Sequence, residues 1–558
     1  MVAMHCDLDG AVRREIQESF LTFQGLVRTA EEFVEKKTYL EAAVAAQIAA
    51  SYASYNHTGE FVSPKLEQVL LDIGTSTTSD APHSDCRRSG VTRRVLHVIT
   101  AAADVGGDTR FVWRWIQRDT DRSHSVALTY QRNQAVPQVL VDAVVTSGGT
   151  CHVLDAEDVI GRARALRRIA RNADVVFLHV YPEDVVPLIA FANRAGLPPT
   201  AFVVQADHQF CLGMSISDLV VHLRASGMSL SIERRGIDRE RMGFLPIPLA
   251  PVHSRHARSQ AKQKLGFSED TVVLLSIARA FKYVSASGPG FAEVAANVLE
   301  KYKSAVLVVV GPDNVGHWKT GQERTGGRIL AVGRRSDTST FYEAADIYLD
   351  SFPFSSNTSL LEAANYGLPL VSYAPYSEQA DVLGAGAPGF DSTLLRLRNR
   401  EEFEATISRL IEDQDLRAGI GERARTEMAR MHSGSGWHRC LAEVYRKLVD
   451  APPASPLRDA TDRGGAGEVD VVLKRLYSAS VDLGGAIDLY ARQLPYATRL
   501  RLLHRMLKIT RSFSFSMFLP TWLGKRLSGC MRGWKQLLGL DRRKSTNASS
   551  DTQTRMAA

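Results

Sequence analysis

From Arg93 to about residue 450, short apolar runs alternate with amphipathic helical stretches, and this alternation fixes the fold class. "RRVLHVIT", "DVVFLHVY", "PTAFVVQADH" and "MGFLPIPL" are short and rich in β-branched residues, as buried strands are, and segments such as "IGRARALRRIARNA" lie between them. Strands that alternate with helices predict a parallel, doubly wound sheet. After Pro251 a charged helical hinge, "SRHARSQAKQKLGF", leads into a second series: "TVVLLSIARAF", "SAVLVVVGP", "RILAVG", "DIYLDSFPF" and "LPLVSYAP". Two Rossmann-like α/β lobes are therefore expected in tandem, residues 93–250 and 251–450. Open α/β sheets bind ligands beyond the carboxyl ends of their strands, so a cleft between the lobes is expected.

The flanks differ in texture. Residues 1–75 read as a helical domain, with Ser63 as an N-cap, Pro64 at the first helical position and Gly74 as a stop signal, and 76–92 read as a linker. The formal charge of +7 is unevenly placed: residues 451–558 hold 18 Lys+Arg against 8 Asp+Glu, which leaves −3 for residues 1–450. A body without a basic stripe excludes nucleic acid as a partner. The six cysteines are scattered without metal-ligand spacing, so neither a disulfide framework nor a zinc site is expected. The start lacks the layout of a signal peptide and no stretch approaches the roughly 18 apolar residues of a membrane span, so a cytoplasmic protein is expected. Between Ala497 and Lys544 twelve Lys+Arg face a single acid, Asp541. In "TRLRLLHRMLKITRSF" the spacing puts Leu500, Leu503 and Leu507 on one helical face and Arg501, Arg505 and Lys508 on another. Residues 451–558 therefore read as a separable basic amphipathic tail, suited to an anionic membrane surface at the inner face of the membrane.

The chemistry concentrates in "YLDSFPFSSNTSLLEAANYGLPLVSY", Tyr348 to Tyr373, where an apolar strand passes through small polar residues into a helix carrying one carboxylate, Glu362. Helix N-termini attract anions, so Asn357, Thr358 and Ser359 would let a diphosphate approach the backbone. Arg279 and Lys282, in "SIARAFKY" at the end of the second lobe's first strand, would neutralise it. Glu362, one turn further in, suits ribose hydroxyls; the rival reading is that Ser359 and Glu362 form a capping box. In the first lobe "VGGDTR" places Gly106 and Gly107 where backbone must pass close to a ligand, followed by Asp108, which is either a general base or the N-cap of the next helix.

In order and spacing, "SIARAFKY", "VVVGPDN", "RILAVGRR" and "DIYLDSFPFSSNTSLLEAANYGLPLVSY" resemble the nucleotide-sugar lobe of GT-B glycosyltransferases of family 4 and, in the "DSFPF" loop, the O-GlcNAc transferases. "RRVLHVITAAADVGGDTRFVWRWI" is similar to the opening of their acceptor lobe. The resemblance covers about residues 93–450 and implies a GT-B fold with a nucleotide diphosphate sugar as donor substrate, no cofactor and no metal. It implies diphosphate binding by Arg279 and Lys282, ribose binding by Glu362, and a sugar-contacting histidine at His208 in "QADHQF"; His179 ends a strand similarly. Family-4 enzymes carry a second Glu eight positions before the ribose carboxylate, where this chain has Phe354. That departure favours the O-GlcNAc-transferase-like pattern. The acceptor hydroxyl, on a glycan, a lipid-linked glycan or a protein, stays open, as do two rival functions: a GT-B-shaped nucleotide-sugar epimerase and a non-catalytic nucleotide-sugar or partner-binding protein.

Overall fold

The computed structural model describes residues 2–78, 92–104, 106–132, 134–156, 158–252, 256–284, 290–377, 386–454, 457, 466–476, 483–510 and 518. Of the expected basic tail, the part from 511 onward lies outside the described residues, Phe518 excepted. The described residues group into two compact units, one drawn from Met1–Val221, Ser231–Gly243 and Tyr445–Ala558, the other from His222–Leu230 and Phe244–Val444.

The first sheet has seven strands: β1 (Arg94–Ile99), β2 (Ser123–Leu128), β3 (Cys151–Val153), β4 (Val175–His179), β5 (Thr200–Val204), β6 (Leu219–His222) and β7 (Met242–Phe244). Their order is β3-β2-β1-β4-β5-β6-β7, and the pairings from β3 to β5 are parallel. Val95 lies between His124 and Val175, which sets β1 inside the sheet, between β2 and β4. The chain order reverses between β1 and β4, the topological switch point of a doubly wound sheet. The sequence reading finds β1, β4, β5 and β7. It misses β2, whose "SHSVAL" begins with three polar residues, and the short β3 and β6.

The second sheet comprises β8 (Val272–Ile277), β9 (Ala305–Val310), β10 (Ile329–Ala331), β11 (Ile347–Leu349), β12 (Leu370–Tyr373) and β13 (Leu394–Leu397), in the order β10-β9-β8-β11-β12-β13, all pairings parallel. Alternate residues serve opposite faces. Leu274, Leu307 and Val309 pack into one core layer, while Val273, Leu275, Val308 and Val310 pack into the other. Burial on both faces is why these strands read as continuous apolar runs. The switch point here falls between β8 and β11.

The N-terminal helices Val2–Glu35, Tyr39–Tyr55 and Pro64–Thr77 belong to the first unit. Ser63 caps the third as expected, its hydroxyl accepting from the Leu66 amide at 3.3 Å. Gly74 does not end that helix, which continues to Thr77. Its role is close packing: a Cβ there would stand 2.4 Å from the Ile189 carbonyl oxygen. Glu67, on the same helix and fully buried, accepts the backbone N–H groups of Gly213, Met214 and Ser215 at 2.7, 3.0 and 2.7 Å, which fastens the helices to the sheet's loops.

The described part of the tail departs from the expectation of a separable segment. Asp470 is buried against His57 (2.8 Å) and Arg234 (3.0 Å), and Arg501 pairs with Glu41 and Arg505 with Glu32 on the N-terminal helices. In the helix Tyr496–Met506 the buried face is Arg499, Leu502, Leu503 and Met506, whereas Leu507 is 42% exposed. The face expected from Leu500, Leu503 and Leu507 is thus rotated, because the helix ends at Met506 and packs on the N-terminal helices. No helix among the described residues is long and apolar enough to cross a membrane.

Candidate functional site

In the second unit the two loops at the switch point are laced together. Arg279 follows β8 and opens a short 3-10 turn, Ala280–Tyr283. Tyr283 anchors that turn from below, fully buried, with its hydroxyl 2.9 Å from Ser276 Oγ. Gly311, after β9, holds φ at +128°, and a Cβ there would stand 1.8 Å from the Ala278 carbonyl oxygen, so only glycine lets β9's end pass beneath this loop. Lys282 donates from Nζ to the Ser355 carbonyl at 3.0 Å and lies 4.8 Å over the Phe354 ring, while the Phe354 amide donates to the Lys282 carbonyl at 3.3 Å. The position where family-4 enzymes carry a Glu thus holds an aromatic ring that packs on the cation.

Asp350, immediately after β11 and fully buried, organises the second loop. It accepts the Ser356 amide at 2.9 Å and the Ser372 hydroxyl at 3.1 Å. Burial pushes its carboxyl up, against these bonds and the charge of Lys282. By fixing Ser356 it fixes where the next helix begins: Ser356 is the N-cap of Asn357–Asn365, and its own side chain makes no capping bond. Ser356 Oγ donates instead to Ser359 Oγ at 3.1 Å.

The start of the helix rules out the capping-box reading of Glu362. Ser359 stands at the third helical position and Glu362 at the sixth, in the second turn, so they do not form a capping box, which needs the Glu at the third position. Glu362 is half-buried, as are Asn357, Thr358 and Ser359. Arg279, Lys282 and the start of this helix therefore all stand at the carboxyl ends of β8 and β11. Asp350 was missed in the sequence; its signal was a carboxylate directly after an apolar strand.

Residues 257–427 match the family model of glycosyl transferases group 1. This group 1 segment contains Arg279, Lys282, Asn357, Thr358, Ser359 and Glu362. Among solved structures, Anabaena HepE in complex with UDP aligns at TM-score 0.50 and 15% identity, over 63% of this chain and 99% of its own. A mutant O-GlcNAc transferase from Thermobaculum terrenum aligns at 0.47 and 16%, over 77% and 82%. UDP-GlcNAc 2-epimerase from Neisseria meningitidis, bound to UDP-GlcNAc, aligns at 0.44 and 12%, over 64% and 100%. At such identities the likeness is one of fold, and the fold is GT-B, with two Rossmann-like sheets. No curated protein matches the sequence.

In the first unit the helix after β1 begins at Gly107, with Gly106 as its N-cap in an extended conformation. Asp108 is therefore not the N-cap. It stands at the second helical position, half-buried, where the helix dipole favours a negative charge. His208 follows β5, with Nδ1 3.6 Å from Asp207 Oδ1. Arg235 holds its loop by donating to the carbonyls of Asp207 and Gln209 at 2.8 and 3.0 Å. His208 and the Gly106–Asp108 turn stand at the same end of the sheet, with β4 between their strands.

His179 is instead part of a buried relay. His179 Nε2 lies 3.0 Å from His97 Nδ1, His97 Nε2 lies 3.0 Å from His124 Nδ1, and His124 Nε2 lies 3.1 Å from the Asp119 carbonyl. A carbonyl only accepts, so His124 Nε2 carries a proton at this end of the chain of rings. Burial holds His179 down at about 3 and lowers His97 well below the ordinary range. Burial opposes the charge of Asp119, but hydrogen bonds from His124 and Tyr445 outweigh it and hold that carboxyl at about 2. The three histidines of β1, β2 and β4 are core polar groups that bond one another.

Proposed function

We propose that the chain transfers a sugar from a nucleotide diphosphate sugar to an acceptor hydroxyl. The diphosphate lies at the N-terminus of the helix Asn357–Asn365, with donors from Asn357, Thr358 and Ser359. Arg279 and Lys282 neutralise it, and Glu362 accepts from the ribose hydroxyls. Fixed cations and a helix dipole stabilise the departing diphosphate as the bond from the sugar to its phosphate oxygen breaks. The account needs no metal. Asp108 is proposed as the base that takes the acceptor proton, Gly106 and Gly107 as backbone that passes near the donor, and His208 as a contact to the transferred sugar; these roles rest on the resemblance.

The observation that supports this reading most is a helix terminus at the β8/β11 switch point whose N-cap side chain makes no capping bond, beside a loop that carries two cations, within the group 1 segment. Incubating full-length protein with a set of nucleotide diphosphate sugars and candidate acceptors tests it. Free nucleotide with a glycosylated acceptor is the expected outcome. An altered sugar still joined to its nucleotide would make the chain an epimerase, and a thermal shift without turnover would make it a binding protein.

A further inference from the structure

The loop that carries Lys282 and the loop that leads into the helix Asn357–Asn365 meet at one side chain, Phe354. The stretch "SFPF" gives its two aromatic residues different surroundings. Phe352 is buried in the core of the second sheet, against Phe291, Tyr373 and Phe403. Phe354 is half-buried and belongs to neither core layer of that sheet. Its backbone is nonetheless held at both ends: the amide donates to the Lys282 carbonyl at 3.3 Å, and the carbonyl accepts from Ser351 Oγ at 2.7 Å. Its ring is braced edge-to-face by Phe281, with centroids 5.8 Å apart and planes at 70°.

The face of this fixed ring is taken by a cation. Lys282 Nζ stands 4.8 Å from the ring centroid and donates to the Ser355 carbonyl at 3.0 Å, one residue before the N-cap Ser356. The clasp is reciprocal, since residue 282 accepts at its carbonyl from the Phe354 amide and lays its ammonium on the Phe354 ring. A lysine gains from such a hold. Its ammonium is a compact charge on a flexible four-carbon stem with three rotatable donors, and an untethered one spreads over many positions. The negative face of an aromatic ring attracts the ammonium without cancelling its charge, as a carboxylate would.

From these observations we infer that Phe354 is a positioning residue of the donor site: its ring holds the Lys282 ammonium beside the start of the helix Asn357–Asn365, so that a diphosphate meets a charge already in place. The role rests on the transfer reading, which puts a diphosphate at that helix start. Phe354 itself touches no reacting atom and acts through Lys282 alone. Its loss therefore weakens binding of the diphosphate only while Lys282 is present, and the loss follows the charge on the ring face rather than the size of the ring.

The test measures binding of UDP, GDP, ADP and dTDP to full-length protein by calorimetry, with the melting temperature of each variant. The wild type is expected to bind at least one of these nucleoside diphosphates. Phe354→Leu, which keeps an apolar side chain but removes the ring face, should bind it about 5- to 30-fold more weakly. Phe354→Tyr should stay within about twofold of the wild type, because its ring face also attracts a cation. Phenylalanine with one, two and three ring fluorines, introduced at position 354, keeps the shape of the ring while drawing charge from its face, and should weaken binding stepwise. In Lys282→Ala the change Phe354→Leu should weaken binding no further, because the two residues act as one unit. Wild-type affinity in Phe354→Leu overturns the inference, as does a loss that ignores fluorination or persists without Lys282, either of which would make Phe354 a packing residue; the transfer reading survives all of these. A wild type that binds none of the four overturns the donor site itself and this role with it.

Discussion

Glu362 shows how far single residues can be read. Its type and neighbourhood were legible, but whether it belongs to a capping box turned on where the helix starts. That is set by Asp350 accepting the Ser356 amide at 2.9 Å, a contact across a loop that no local pattern announces. The same holds for Asp108, whose status depends on Gly106 being the N-cap. Buried titratable groups were wholly hidden, because "HVI", "SHS" and "FLH" give no hint that their histidines meet. They carry a prediction about pH. His179 and His97 are held neutral, so the folded state binds fewer protons than the unfolded chain below 6.5, and their contribution to stability is lost as pH falls from 6.5 towards about 3. Glu183 works in the opposite sense: burial raises it from 4.5 to about 7, so its contribution is lost as pH rises through that interval. Melting temperatures of the wild type and Glu183→Gln between pH 4 and 8 check this. The variant should lack the alkaline loss and keep the acid one; parallel curves would show that Glu183 is ionised throughout.

The strands buried on both faces were legible as apolar runs, and the sequence reading found all of the second sheet except β13, whose residues are half-buried and include Arg396. What it misread was a helix signal with two meanings. Glycine after a run of helical residues reads as a stop, but Gly74 lies inside its helix and permits contact with the helix Val186–Phe191. The two roles make opposite predictions for Gly74→Ala. In an open helix interior alanine is favoured by about 1 kcal/mol. Here its Cβ would meet backbone at 2.4 Å, and overpacking of that kind is unfavourable by about 1–3 kcal/mol, so the variant should melt lower than the wild type. A higher melting temperature would return Gly74 to the role of a stop.

Across the whole molecule, order along the chain suggested lobes in sequence with a tail at the end, whereas the first unit closes on itself through long-range contacts. Asp470 with His57, Tyr490 with Glu183 and Arg501 with Glu41 each join residues more than 300 positions apart, and such pairings have no signature in composition. Truncation after Pro456 should therefore expose Leu502, Leu503 and Met506's partners on the N-terminal helices and leave His57 and Arg234 without their carboxylate, giving an aggregating or poorly folded product. A well-folded protein from this truncation would restore the separable tail. The central claim, a donor site at the β8/β11 switch point, is tested most directly by measuring donor-dependent nucleotide release together with melting temperature for wild type, Lys282→Ala and Glu362→Gln. The account predicts release by the wild type and loss of most of it in both variants, with Glu362→Gln melting as the wild type does because Glu362 stands beyond the third helical position and completes no capping box. Release at the wild-type rate from either variant, or none from the wild type with any donor, would contradict it.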